Sequence, residues 1–75
     1  MSVNSYPVII SEGESGKYIA NCPSIEGCFS QGDTIQEAIE NIKEAIALCI
    51  EVMIERGEDL PRPSITFLSE VTVEL

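Results

Sequence analysis

Residues 18–38 read YIANCPSIEGCFSQGDTIQEA and carry the strongest structural signals of this 75-residue chain. They predict a strand, a corner, a short second strand and a helix start, in that order. The strand covers residues 17–22, where side chains alternate in character, and Pro23 ends it because proline has no N–H to give to a sheet. Gly27 allows a tight corner, and residues 28–31 follow as the next strand.

The helix start is marked by a capping box, Thr34-Ile-Gln-Glu37. In this motif the Thr34 hydroxyl accepts a hydrogen bond from the Glu37 N–H, and the Glu37 carboxylate reaches back to the Thr34 N–H. Asp33 adds negative charge at the positive end of the helix dipole. With Gly57 as the C-terminal stop, we expect a helix from residue 35 to residue 56, about 33 Å long.

One side of this helix is apolar and predicts the face that packs on the core. The apolar residues recur at steps of four and three, and alanines widen the stripe: Ile35, Ile39, Ile42, Ile46, Cys49 and Met53, with Ala38 and Ala45. Leu48, Val52 and Ile54 lie off this stripe. These three are either part of a wide core face or additional surface for a partner.

The remaining segments complete an α+β pattern. Residues 6–11 are rich in β-branched side chains and predict a strand, joined to residues 17–22 by a five-residue hairpin loop. Pro61-Arg62-Pro63 predicts a stiff connector, and residues 70–75 alternate as a terminal strand should. Residues 64–68 form either a separate short strand or the approach to it. We therefore predict one domain spanning residues 1–75, a two-layer β-β-β-α-β sandwich with one long helix on one face of a three- to four-stranded, mainly antiparallel sheet.

Composition restricts the possible functions of the chain. The net charge is −9 with only four Lys and Arg residues, so direct nucleic-acid binding is not expected. The charge serves either solubility or attraction to a basic protein. The sequence contains neither a signal-peptide pattern nor an apolar run of the roughly 20 residues that span a bilayer. We expect a cytoplasmic protein without a membrane partner.

No enzyme signature emerges from the reactive residues. The chain has no histidine, and Cys22, Cys28 and Cys49 do not form a CxxC pair. We expect these thiols to pack as small hydrophobes. The helix carboxylates lie mostly on the solvent-facing side, and residues 13–16, GESG, predict a hairpin turn rather than a phosphate loop. Catalytic residues, cofactors and metal ligands are therefore not expected.

The order of several short motifs resembles the HicB-like antitoxins. No single motif is specific, but their order and spacing are, over about residues 6–63. In chain order they are Tyr18-x-Ala20, Pro23, Gly27-Cys28, Ser30, Gly32-Asp33-Thr34, Glu37-Ala38, Asn41, Glu44-Ala45, Gly57-Glu58 and Pro61-x-Pro63. One departure is Ser24-Ile-Glu-Gly27 where the family often has Asp-Leu-Pro-Gly, which keeps the length of the corner.

This resemblance implies a partner, a small basic RNA-cleaving toxin of the HicA type, whose active surface the antitoxin blocks. Many members of the family add a C-terminal DNA-binding module. Because the sequence stops at Leu75 without one, we expect no direct DNA binding. The alternative function is a stand-alone homo-oligomeric interaction module of the same fold without a toxin.

Three carboxylates near the corner and the helix start are candidates for contacting the toxin: Glu26, Asp33 and Glu37. Asp33 and Glu37 also have a capping role, as do Thr34 and Gly57, whereas Glu26 has none. The uncovered sheet face, where Ile19 emerges, and the terminal strand are candidate surfaces for self-association, with a dimer as the expected form.

Overall fold

The computed structural model describes residues 5–62 and 67–75 and contains one sheet and one long helix. The elements follow the order β1 (Ile9–Glu12), β2 (Tyr18–Asn21), β3 (Phe29–Gly32) and α1 (Ile35–Glu55). Both strand pairs are antiparallel, and β2 is the central strand. This arrangement confirms the predicted α+β fold with a three-stranded antiparallel sheet and one long helix.

The hairpin between β1 and β2 has a five-residue loop, as predicted, but the loop covers residues 13–17 rather than residues 12–16. Gly13 N–H donates a hydrogen bond to the Lys17 carbonyl at 2.6 Å, and Gly16 adopts a φ of 78° that favours glycine. The first strand begins at Ile9 rather than at residue 6. Pro7 has no N–H for a ladder, and the Tyr6 hydroxyl instead donates to the Pro61 carbonyl at 2.9 Å.

The register of the sheet separates an inner face from an outer face. Ile10 pairs with Ala20, and Ala20 pairs with Ser30, so these three residues lie on the inner face. The helix α1 packs against that face, chiefly over β3 and β2. The core between the two layers is built from six buried residues: Ala20, Cys22, Ile25, Cys28, Ala38 and Ile42.

Both ends of α1 are capped as predicted. Thr34 Oγ1 accepts the Glu37 N–H at 3.0 Å. At the other end, Arg56 is the C-cap and Gly57 has a φ of 69°. Gly57 N–H donates to the Ile54 carbonyl, and Glu58 N–H donates to the Met53 carbonyl, which together form a Schellman motif.

One bond of the capping box differs from the prediction. The Glu37 carboxylate accepts a hydrogen bond from the Asp33 N–H at 3.2 Å, one residue earlier than the predicted Thr34 N–H. Both N–H groups precede the first helical turn and have no carbonyl partner within it, so the carboxylate stabilises the helix start from either position. Among the described residues, no helix is long and apolar enough to cross a membrane.

The core face of α1 is rotated from the predicted stripe near its start. Ile35 and Ile39 are 50% and 40% exposed, whereas Ala38 is fully buried. The cause is Gly32, where an added Cβ would lie 2.6 Å from the Ala38 nitrogen. Because the helix approaches β3 this closely, only the alanine side fits against the sheet and the isoleucines turn outward.

The predicted terminal strand is not formed. Residues 67–75, hereafter the C-terminal tail, contain no strand and are exposed throughout. Alternation is not sufficient for a strand, because its N–H and C=O groups need a neighbouring strand to pair with. Of the segment predicted at residues 64–68, residues 64–66 lie outside the described residues, and residues 67–68 are not part of a strand.

Candidate partner-binding surfaces

An apolar groove lies between the corner, residues 22–28, and the C-terminal half of α1. Its volume is about 290 Å³. The apolar side chains that line the groove are Ile25, Leu48, Cys49, Val52 and Met53. The charged residues that line it are Glu26, Arg56 and Glu58. An apolar centre with a charged rim is the usual composition of a protein-binding surface.

The corner positions Glu26 at the edge of this groove. Two turns close the corner, with Ile25 N–H donating to the Cys22 carbonyl and Cys28 N–H donating to the Ile25 carbonyl, both at 3.2 Å. These turns bury Ile25 in the core, at 3% exposure, and leave the adjacent Glu26 exposed. Glu26 is therefore a solvated carboxylate held on a well-anchored backbone.

Asp33 and Glu37 lie at the opposite end of the helix and already have partners. Asp33 Oδ1 is 3.1 Å from the Lys17 ammonium, and the Asp33 N–H is bonded to the Glu37 carboxylate. Glu37 N–H is in turn bonded to Thr34. From Glu37 to Leu48 in the groove the helix rises about 17 Å. Glu26 thus belongs to a different part of the surface from Asp33 and Glu37.

The outer face of the sheet is a second exposed apolar surface. Ile9, Ile19 and Phe29 lie on it, and Phe29 is 67% exposed. Ile19 emerges on this face as predicted. Three apolar side chains spread over three strands form a patch that an associated chain would cover.

The cysteines lie at the interface of the corner and the helix and are free. Cys22 and Cys28 are buried, as predicted, and Cys49 is half-buried. Burial, together with a hydrogen bond to Cys49, raises the pKa of the Cys28 thiol to about 11. A thiol with a raised pKa stays protonated near neutral pH and is a poor nucleophile. Across residues 5–62 and 67–75, no cluster of three or more potential ligands could hold a metal ion.

Two features of these surfaces were missed from sequence. Ile25 reads as a corner residue, yet it is the residue that anchors Glu26 beside the groove. Asn41 donates from its side chain to the Gln31 carbonyl at 2.8 Å and so ties α1 to β3. An apolar residue inside a turn-forming segment was a signal for Ile25, whereas nothing in the local sequence identified the partner of Asn41.

Comparison with known proteins places this architecture in a family. Residues 6–72 match the model of the HicB-like antitoxin of bacterial toxin–antitoxin systems. A UPF0150 protein of Thermoplasma acidophilum is 46% identical over 68 residues, which cover 91% of this chain and 94% of that protein. The antitoxin HicB 1 of Photorhabdus laumondii is 36% identical over 77% of this chain, and the match spans 37% of that longer protein.

A solved structure agrees with these sequence matches. The crystal structure of the N-terminal domain of the Burkholderia pseudomallei antitoxin HicB superposes with a TM-score of 0.72 at 36% sequence identity. The superposition covers 81% of this chain and 72% of that one. The fold and the sequence matches therefore agree, since the chain has the capped helix and three-stranded sheet described above and matches the family model over residues 6–72. This chain belongs to the HicB-like antitoxin family of bacterial toxin–antitoxin systems.

Proposed function

We propose that this chain is an antitoxin that binds a small, basic, HicA-type RNA-cleaving toxin and neutralises it by covering its active surface. The observation that carries this proposal is the match to an antitoxin family over residues 6–72, nearly the whole chain. The net charge of −9 supports it. Opposite charges on two proteins accelerate their association and orient the encounter.

The groove is the surface we assign to the toxin. Leu48 and Val52 present apolar area there, and the Glu26 carboxylate stands exposed at the rim, where it can meet a Lys or Arg side chain. Asp33 and Glu37 are weaker candidates because ion pairing and capping already occupy them. They contribute to the negative field around the helix start rather than to a specific contact.

The family assignment suggests a role without catalysis. We propose that the chain acts in the cytoplasm as a single domain, residues 1–75, without a cofactor and without direct nucleic-acid binding. The partner is then a protein, and regulation of the toxin depends on complex formation alone.

The decisive experiment co-expresses this chain with a candidate toxin, a short basic protein encoded by an adjacent reading frame. We expect rescue of growth and co-purification of a complex. If no complex forms and toxicity persists, the antitoxin proposal is wrong.

A charge reversal then tests the groove. Glu26→Lys should slow association with the toxin about tenfold at low salt and flatten its salt dependence, because rim charges act mainly on the association rate. The free energy of unfolding should change by less than about 0.5 kcal/mol, as is usual for exposed sites. Glu40→Lys is the matched control, since Glu40 is exposed beside Lys43 and Ala47 and lies about 12 Å along the helix from Leu48. Equal slowing by both variants would mean that only total charge matters.

A second candidate function is a stand-alone homo-oligomeric module without a toxin. The exposed apolar residues of the outer face and of the C-terminal tail favour self-association. We propose a dimer, the commonest closed arrangement of small domains. Self-association is compatible with toxin binding, and it becomes the main function if the co-expression experiment fails.

A further inference from the structure

The C-terminal tail is the most exposed apolar segment of the described chain. Its large apolar residues range from 68% exposed at Val73 to fully exposed at Leu75. The odd positions hold four apolar residues and Ser69, and the even positions hold three polar residues and Leu68: Phe67, Val71, Val73 and Leu75, against Glu70, Thr72 and Glu74. In extended backbone such a segment has one apolar side and one mostly polar side, as does a strand at the edge of a sheet.

A single copy of the chain leaves this segment without cover. The radius of gyration is 14.3 Å. A compact chain of this length has a radius of gyration of about 11 Å. Water-exposed apolar side chains in such a row are unfavourable, so a covering surface is expected.

The sheet offers a matching surface along β1. This strand is an edge of the sheet, and its other side pairs with β2. The helix packs chiefly over β3 and β2, so Val8 and Ile10 on the β1 side are only partly buried. A fourth strand beside β1 would pair its free backbone groups, and apolar side chains on its inner side would extend the core.

The described chain leaves the helix and reaches residue 61 close to this edge. The hydrogen bond from the Tyr6 hydroxyl to the Pro61 carbonyl holds residue 61 beside the start of β1. The sequence Pro61-Arg62-Pro63 favours an extended, stiff hinge. Short stiff hinges favour exchange of an end segment between two copies over closure within one copy.

We infer that two copies of this chain exchange their C-terminal tails, each tail forming a strand on the β1 edge of the other copy. This inference rests on the self-association proposed above and is independent of the toxin. Two-fold symmetry makes the two contacts equivalent and leaves both β1 edges covered. A specific interface buries roughly 1,000 Å² or more in total, and each exchanged tail brings five large apolar side chains to it.

The charge of the chain gives this interface a distinctive salt dependence. Each copy carries −9, so two copies repel one another. Salt screens that repulsion and should strengthen the dimer, whereas it should weaken binding to a basic toxin. The two associations therefore respond to salt with opposite signs.

The test combines sedimentation equilibrium with amide hydrogen exchange on the full chain. We expect a dimer whose tail amides become protected as protein concentration rises, and whose dissociation constant falls when salt rises from about 0.05 to 0.5 M. Val73→Asp should raise the dissociation constant by more than about tenfold, because it places a charge on the apolar side of the strand. Thr72→Asp, the matched control on the polar side, should raise it by less than about threefold.

Three results would overturn the inference. The first is a monomer at about 100 μM, which would mean an affinity too weak for a specific dimer. The second is tail protection that does not depend on concentration, since the tail would then pair within its own chain. The third is a dimer that is disrupted by Phe29→Asp but not by Val73→Asp, since the outer face of the sheet would then form the interface. None of these results bears on toxin rescue in co-expression, so the two proposals fail separately.

Discussion

The start of α1 and the C-terminal tail differ in how many of their backbone groups and side chains form hydrogen bonds, ion pairs or packing contacts within the chain. At the helix start, Thr34 and Glu37 bond the exposed N–H groups, Asp33 pairs with Lys17, and Ala38 is buried against Gly32. In the tail, Val71 and Val73 face water and no strand forms. Capping is satisfied by neighbours a few residues away, whereas a strand requires a partner from elsewhere.

This difference separates the roles of the two regions. The helix start supplies stability to one copy of the domain, and its carboxylates are engaged in that task. The tail contributes little stability to a single copy of the domain, and its apolar side chains remain available for contacts with another chain. Substitutions in the two regions should therefore act on different quantities, the free energy of unfolding in one and the association constant in the other.

The largest effect is expected for truncation of the core beneath the helix start. Ile42→Ala should lower the free energy of unfolding by about 3 kcal/mol, because Ile42 is 1% exposed and its removal leaves a cavity. Val73→Ala in the tail should change it by less than about 0.5 kcal/mol at concentrations where the chain is monomeric. Urea unfolding measures both values. Similar losses in the two variants would show that the tail packs within its own chain.

An intermediate effect is expected where the helix approaches the sheet. Gly32→Ala should cost about 2 kcal/mol, since the new Cβ would meet the Ala38 nitrogen and push α1 away from β3. Gly16→Ala is the control, because nothing lies within 4 Å of the position of its added Cβ. This variant should lose only about 1 kcal/mol of stability, from placing alanine at a positive φ of 78°. Thermal unfolding compares the two. A Gly32→Ala loss no greater than that of the control would refute the close packing.

The smallest effect is expected at the cap. Thr34→Ala should cost about 1 kcal/mol by removing the acceptor of the Glu37 N–H. Thr72→Ala, the same change in the tail, should stay within about 0.5 kcal/mol. Urea unfolding compares the two variants by the midpoints of their transitions, provided that the slopes of the transitions are equal. An unchanged midpoint for Thr34→Ala would place the helix start elsewhere.

Much of the fold and part of the candidate site were predictable from local sequence. The capping box and Gly57 defined the helix to within one residue, because capping depends on groups close in the chain. The position of Glu26 in the corner was predicted, but its place beside Leu48 and Val52 was not. That proximity joins residues more than 20 positions apart and follows only from how the corner packs on the helix.

The sequence by itself determined the order of strands and helix, the hairpin loop and the capped ends of α1, because these depend on hydrogen bonds and backbone preferences within a few residues. Only the tertiary structure decided which side of α1 faces the core and whether the tail is a strand. The first depends on the missing Cβ at Gly32, which lets Ala38 rather than Ile39 approach the sheet. The second depends on a partner for the backbone of residues 67–75, which alternation alone cannot supply.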